Sequence, residues 1–260
     1  MKCDLYFSKS LMNAAGSLGF APDTRVGISL DSFGAFVTNP FSLRPRLPAA
    51  RPAVIEHPGG FLLHTGLPNP GLSAGLKRYA AKWSRSELPI IVHLMADRPE
   101  ETQRMVRMLE VQENVMAAEL GFAPLLASDI LLLALEMCLG ELPLIFSLPV
   151  EQVLSLGPRL VQEGAQAISI AAPRGALPLT PTSSPIGRGE LVTGRLYGPS
   201  LFPQTLETVY SAAKLGLPII GAGGVWTKEN AEAMLSSGAL AVQVDAVLWN
   251  PASTFSISTT

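Results

Sequence analysis

The chain has only two cysteines, Cys3 and Cys138, and they form no CxxC pair. That argues against a disulfide framework and against a structural zinc site, and a reducing, cytoplasmic setting is the expectation. Charge is scarce as well. Charged residues make up 15% of the 260 positions and the formal net charge is −2. Such a chain carries no electrostatic footprint for nucleic acid or for an anionic membrane. The opening segment, MKCDLYFSKSLMNAAGSLGF, lacks the long apolar core of a signal peptide. The most apolar stretch, PLLASDILLLALEMCLGELPLIF, is broken by Asp129, Glu136, Glu141 and Pro143. It falls short of the ~20 residues that span a bilayer. It reads instead as a buried helix, 128–139, followed by a buried strand, and no metal site is expected.

What the chain has in quantity is apolar surface, 48% of residues, enough for a sizeable core. Short apolar runs recur: LMNAAG, GAFVTN, PIIVHLM, VMAAELGF, PLIFSLP, AISIAAP, PIIGAGG and LAVQVDAVLW. Most are continuous rather than alternating, as in parallel strands covered on both faces. Helix-period segments lie between many of them. RPEETQRMVRMLEVQ opens on Pro99 and acidic residues, VEQVLSLGPRLVQEG closes on Gly164, and TKENAEAMLSSG runs from an N-cap at Thr227 to Gly238. Strands alternating with helices over this length predict a single (β/α)8 barrel domain, residues 1–260, with an open doubly wound sheet as the alternative. Residues 173–200 are rich in Pro, Gly, Ser and Thr and too long for an ordinary βα loop, so a lid or a loop insertion is expected there. The polar tail NPASTFSISTT is short for a closing helix.

In a barrel, PIIGAGG is the seventh strand and its turn. Glycine lets backbone N–H groups approach a phosphate, and the helix that follows adds its positive N-terminus. A phosphate-type ligand is therefore expected at Gly223 and Gly224.

Several segments, in order along the chain, resemble the dihydroorotate dehydrogenase family of FMN-dependent barrels. NAAGSLGF (13–20) is similar to its turn beside the flavin, and GAFVTNPFSLRPR (34–46) to its second strand. GLPNPG (66–71) is similar to its substrate loop, and GRLYGPSLFP (194–203) to its Gly-x-x-Gly-Pro segment. PIIGAGGV and AVQVDAVLW resemble its phosphate-binding strand ends. The resemblance implies an oxidoreductase acting on CH–CH groups, of the kind used in pyrimidine biosynthesis. It implies FMN held by Ala14, Ala15, Gly16, Asn39, Gly198, Gly223, Gly224, Asp245 and Ala246. It places a small-molecule substrate at Thr65, Gly66, Leu67 and Asn69. A homo-oligomer or a partner subunit is also expected.

The departures fall in the pocket. Asn39 stands at the family's lysine after strand two, and Leu63 at a substrate-loop asparagine. Gly121 stands at the first asparagine of its strand-four motif, with no Cys or Ser base following. Ser147 stands at a second lysine, IAAPRG lacks the strand-six asparagine, and Asp245-Ala246 replaces Gly-Thr. These changes make ordinary orotate chemistry improbable and predict a substrate other than dihydroorotate. The alternatives are a non-catalytic barrel that binds a phosphate ligand or a partner, and dihydroorotate oxidation with an unconventional base. His64 is the candidate base, with His93 weighed beside it as a core histidine or a base. Arg174, Arg188 and Arg195 are candidates to clamp an anion, and Glu119 is either a buried structural carboxylate or an acid.

Overall fold

The computed structural model describes residues 5–23, 30–123, 126–179 and 191–249. Eight strands close a parallel barrel: β1 (Leu11–Asn13), β2 (Phe33–Val37), β5 (Ile90–Met95), β6 (Val115–Gly121), β7 (Leu144–Leu148), β8 (Ala167–Ile170), β11 (Ile219–Ala222) and β12 (Ala241–Val244). Among the described residues, six α-helices connect them: α1 (Leu72–Trp83), α2 (Pro99–Glu110), α3 (Ser128–Cys138), α4 (Val150–Gln162), α5 (Phe202–Lys214) and α6 (Lys228–Ser236). The fold is a (β/α)8 barrel, not the open doubly wound sheet. Each predicted apolar run supplies a barrel strand, because its residues face the interior and the helices alternately.

That alternation builds two cores. Ile90, Val92 and Leu94 of β5 join the outer core under the helices, whereas Ile91 joins the inner one. The inner core is a layer of Met12, Ala35, Val37, Ile91, Ala117, Ile145, Ala167, Ile220 and Ala241. Two residues further along five of these strands, towards their C-terminal ends, the layer becomes polar: His93, Glu119, Ser147, Ser169 and Gln243, all buried. An apolar floor thus supports a polar layer just below the barrel mouth.

The helix signals are met in local detail. Pro99 begins α2, and Thr227 caps α6 in a capping box with Asn230. Gly164 and Gly238 follow α4 and α6 with positive φ, 119° and 103°.

The sequence reading missed a second sheet. β3 (Ala53–His57) and β4 (Gly60–His64) form a hairpin after β2, and β9 (Arg174–Pro178) and β10 (Leu191–Tyr197) follow β8. They pair antiparallel in the order β3-β4-β10-β9. The described part of 173–200 therefore contains two strands. Residues 180–190, with Arg188, and the tail 250–260 lie outside the described residues. Among the described residues no helix is long and apolar enough to cross a membrane.

Candidate functional site

Glu119 sits at the centre of the polar layer and is fully buried. Parallel register places His93 of β5 directly beside it. Its Oε2 accepts from His93 Nδ1 at 2.7 Å, and its Oε1 accepts from Ser169 Oγ at 2.7 Å and Gln243 Nε2 at 2.8 Å. Burial works against its charged form. The hydrogen bonds from His93, Ser169 and Gln243 and the attraction of His93 outweigh that and hold the carboxyl below its ordinary range. Above this layer, Gly121 ends β6. A Cβ at Gly121 would collide with His93 Nε2 and fall 2.8 Å from His93 Cε1, so the imidazole reaches the level of Gly121.

The β1 turn closes tightly. Ala14 N–H donates to Val244 O at 2.8 Å, and Ser17 Oγ donates to Ala14 O at 2.6 Å. Gly16 has φ 91°, and a Cβ there would meet only Pro40 Cδ, at 4.0 Å. Asn39 Oδ1 accepts from Gly19 N–H at 3.0 Å, which fastens the end of β2 to the same turn. Trp249 Nε1–H donates to Ser17 O at 2.8 Å, and its ring packs on Tyr197 and Phe61. Val54, Glu56, Phe61, Leu63 and Trp249 line an adjoining open cleft of about 470 Å³.

At the ends of β11 and β12, Gly223 (φ 93°) and Gly224 (φ 74°) turn the chain as predicted. The structure gives their glycine identity a reason that needs no ligand. A Cβ at Gly224 would collide with Phe202 N and lie 2.7 Å from Phe202 Cα; one at Gly223 would lie 3.0 Å from Thr205 Cγ2. The turn is glycine because α5 starts against it. Gly198 has the same kind of reason, since a Cβ there would meet the β3–β4 turn at Gly59 and Gly60. Asp245 is buried, and its carboxylate accepts from the Ala246 N–H at 2.5 Å. Burial pushes its pKa up to about 6, against the pull of the Ala246 and Asp245 amides.

The predicted substrate loop is bonded partly to itself and partly to residues 42–49. Leu67 N–H donates to Thr65 Oγ1 at 3.1 Å, with Leu67 at φ 55°. Gly66 O accepts from Arg46 Nε at 2.5 Å. Asn69 Oδ1 accepts from Ser42 N, Ser42 Oγ and Gly71 N, and its Nδ2 donates to Leu67 O. Its amide shapes the loop. His64 pairs with Ala53 in the β3–β4 ladder, and its side chain makes no hydrogen bond among the described residues.

The β9–β10 register sets Arg174 directly opposite Arg195, and Arg195 opposite Leu63 of β4. Burial lowers the Arg174 pKa, and the charges of Arg195 and Arg46 lower it further, with Asp97 opposing. Asp97 Oδ1 also accepts from Ala123 N–H at 2.9 Å. Arg174 and Arg195 thus stand opposite one another, with the charges of Arg46 and Asp97 acting on Arg174. Arg46 was not among the sequence candidates. Its signal, a loop arginine in FSLRPR, has nothing to set it apart from a solvated charge.

A flavin fits this backbone on one condition. Beside Ala14, Ala15 and Asn39, a Cβ at Gly16 would meet nothing nearer than Pro40 Cδ at 4.0 Å, so no side chain crowds the face where a ring would lie. At the other end, the amides of Gly223 and Gly224 are the candidates for a phosphate once Asp245 is neutral, because an ionised carboxylate there repels it, and the Ala246 amide is already taken by Asp245. Among the described residues no group of His, Cys, Asp and Glu could hold a metal ion.

The family model described as dihydroorotate dehydrogenase matches residues 2–122. The chain is similar to proteins named dihydroorotate dehydrogenase B (NAD(+)), catalytic subunit. That of Geotalea uraniireducens is 28% identical over 90% of this chain and 81% of its own length. That of Thermodesulfovibrio yellowstonii is 29% identical over 98% and 89%. That of Bacillus caldolyticus is 27% identical over 92% and 81%. With the closed barrel, these matches make the chain similar to the dihydroorotate dehydrogenase family in sequence and in fold.

Proposed function

We propose that the chain is a dihydroorotate-dehydrogenase-like oxidoreductase that holds FMN across the barrel mouth and oxidises an anionic CH–CH substrate other than dihydroorotate. The observation that carries the substrate class is the pairing of Arg174 with Arg195, with the charge of Arg46 acting on Arg174. Like charges directly opposite on paired strands destabilise a sheet, and a ligand carboxylate or phosphate relieves that repulsion through bidentate contacts. Support for divergence comes from Leu63 and Gly121, which present no amide where family members use asparagine, and from the internal bonding of Asn69.

A bound flavin supplies the hydride acceptor. Ala14, Ala15, Gly16 and Asn39 would lie along its ring, and Gly198, Gly223, Gly224 and Ala246 nearer its phosphate. The naming of the relatives as catalytic subunits supports a partner subunit or a second copy. Asp245 favours a second reading, a barrel that keeps the scaffold without redox chemistry.

The test is anaerobic reduction of the FMN-loaded protein by dihydroorotate, by its neutral analogue dihydrouracil and by a panel of saturated carboxylates. Reduction by a carboxylate other than dihydroorotate is expected. Fast reduction by dihydroorotate would refute the divergence, and equal rates with neutral and anionic compounds would refute the role of the arginines.

A further inference from the structure

The departure at Gly121 and the histidine beneath it are one feature. Family members have an asparagine at that position, and no Cys or Ser base follows it here. A side chain at Gly121 would overlap His93 Nε2, so the imidazole occupies the space such a side chain would need.

Glu119 then decides which nitrogen faces the mouth. Its carboxylate accepts three hydrogen bonds, one of them from His93 Nδ1. An ionised carboxylate only accepts, so Nδ1 carries the hydrogen and the neutral ring keeps its lone pair on Nε2. Nε2 has no hydrogen-bond partner among the described residues. The His93 side chain keeps 5% of its surface exposed. The backbone fixes the ring as well. His93 N–H donates to Thr38 Oγ1 at 3.1 Å, and Phe41 N–H donates to His93 O at 2.9 Å.

We propose that His93 is the proton acceptor of this site and that Glu119 is its positioning residue. The inference rests on the oxidoreductase reading above. Oxidation of a CH–CH unit releases one hydrogen as a proton and its neighbour as a hydride. The electron pair of the deprotonated C–H bond becomes the new C=C bond. Nε2 takes the proton, and the hydride with its two electrons leaves to the flavin-class acceptor already named. Glu119, fixed across the barrel by Ser169 and Gln243, holds the tautomer and offsets the positive charge that forms on the ring.

Three measurements test this on the full chain. Nitrogen-15 NMR of the histidines should show the neutral His93 protonated on Nδ1 and bare on Nε2; the opposite tautomer overturns the proposal. Diethyl pyrocarbonate, mapped by mass spectrometry, should modify His93 in the native protein. Modification of His57 and His64 with His93 untouched would show a sealed core histidine and overturn it. In stopped flow, His93→Gln should slow flavin reduction on the order of 10²-fold or more with bound FMN unchanged, and Glu119→Gln should slow it less. An unaltered rate in His93→Gln overturns the proposal. A wild-type protein that takes up no flavin counts against the oxidoreductase reading, and the tautomer and the modification still decide the state of His93.

Discussion

Asp245→Asn is the perturbation whose effect the structure sizes most closely. The carboxyl is buried, and its pKa rises from 3.8 to about 6. The folded state therefore holds a proton that the unfolded chain gives up between those values. Stability is fully present below pH 3.8 and falls as pH rises through the folded value of about 6. At ~1.4 kcal/mol per unit, the ionised carboxylate costs the fold on the order of 3 kcal/mol above that pH. Asparagine keeps an oxygen for the Ala246 N–H and carries no charge. Urea unfolding at pH 7.5 should show the variant more stable by up to that amount, with the advantage fading towards pH 4. The same substitution reports on the cofactor. With a pKa about 6, the neutral fraction at pH 7 is roughly one tenth, so a phosphate that binds only the neutral form loses roughly tenfold in affinity there. FMN fluorescence quenching should give a Kd about tenfold lower for Asp245→Asn at pH 7, and the two proteins should converge near pH 5. Equal stability and equal FMN affinity at pH 7.5 would refute the reasoning.

Other outcomes follow from single contacts. Gly224→Ala puts a Cβ onto Phe202 N at φ 74° and should destabilise by about 2–4 kcal/mol in urea titration, with or without ligand. Gly121→Asn should displace the His93 ring, visible as a changed histidine NMR signal. Arg174→Ala should leave stability unchanged or raised, since it relieves repulsion from Arg195 and Arg46, while raising KM for the anionic substrate about tenfold or more. His64→Ala should leave flavin reduction within about twofold of wild type, because its side chain makes no hydrogen bond among the described residues; a loss of 10²-fold would restore it as the base.

The barrel strands were legible because buried parallel strands are continuous apolar runs, and PIIVHLM and PLIFSLP are such runs. The outlying sheet was not. β3 alternates and Pro58-Gly59 marks a turn, but β4, GFLLH, does not alternate and runs straight into the apparent substrate loop. β9 and β10 were hidden by the Pro, Gly, Ser and Thr content of 173–200 as a whole. The glycines at 223 and 224 were visible as a turn, but their steric partners, Phe202 and Thr205, lie on a helix that only the closed barrel brings close. His93 and Glu119 stand 26 residues apart. Each alone reads as a core residue or an acid. Register, which composition does not report, makes them neighbours. Asp245 is visible in the sequence as a carboxylate where the family has Gly-Thr, and its burial supplies the pH at which its opposition to a phosphate yields.

The central claim is that the mouth of this barrel holds FMN. The visible absorption spectrum of the purified protein, with identification of what heat denaturation releases, tests it most directly. Stoichiometric FMN, or its uptake by the apoprotein more tightly at pH 5.5 than at pH 7.5, is the predicted result. A colourless protein that takes up no added FMN at either pH, and none as Asp245→Asn, would contradict it.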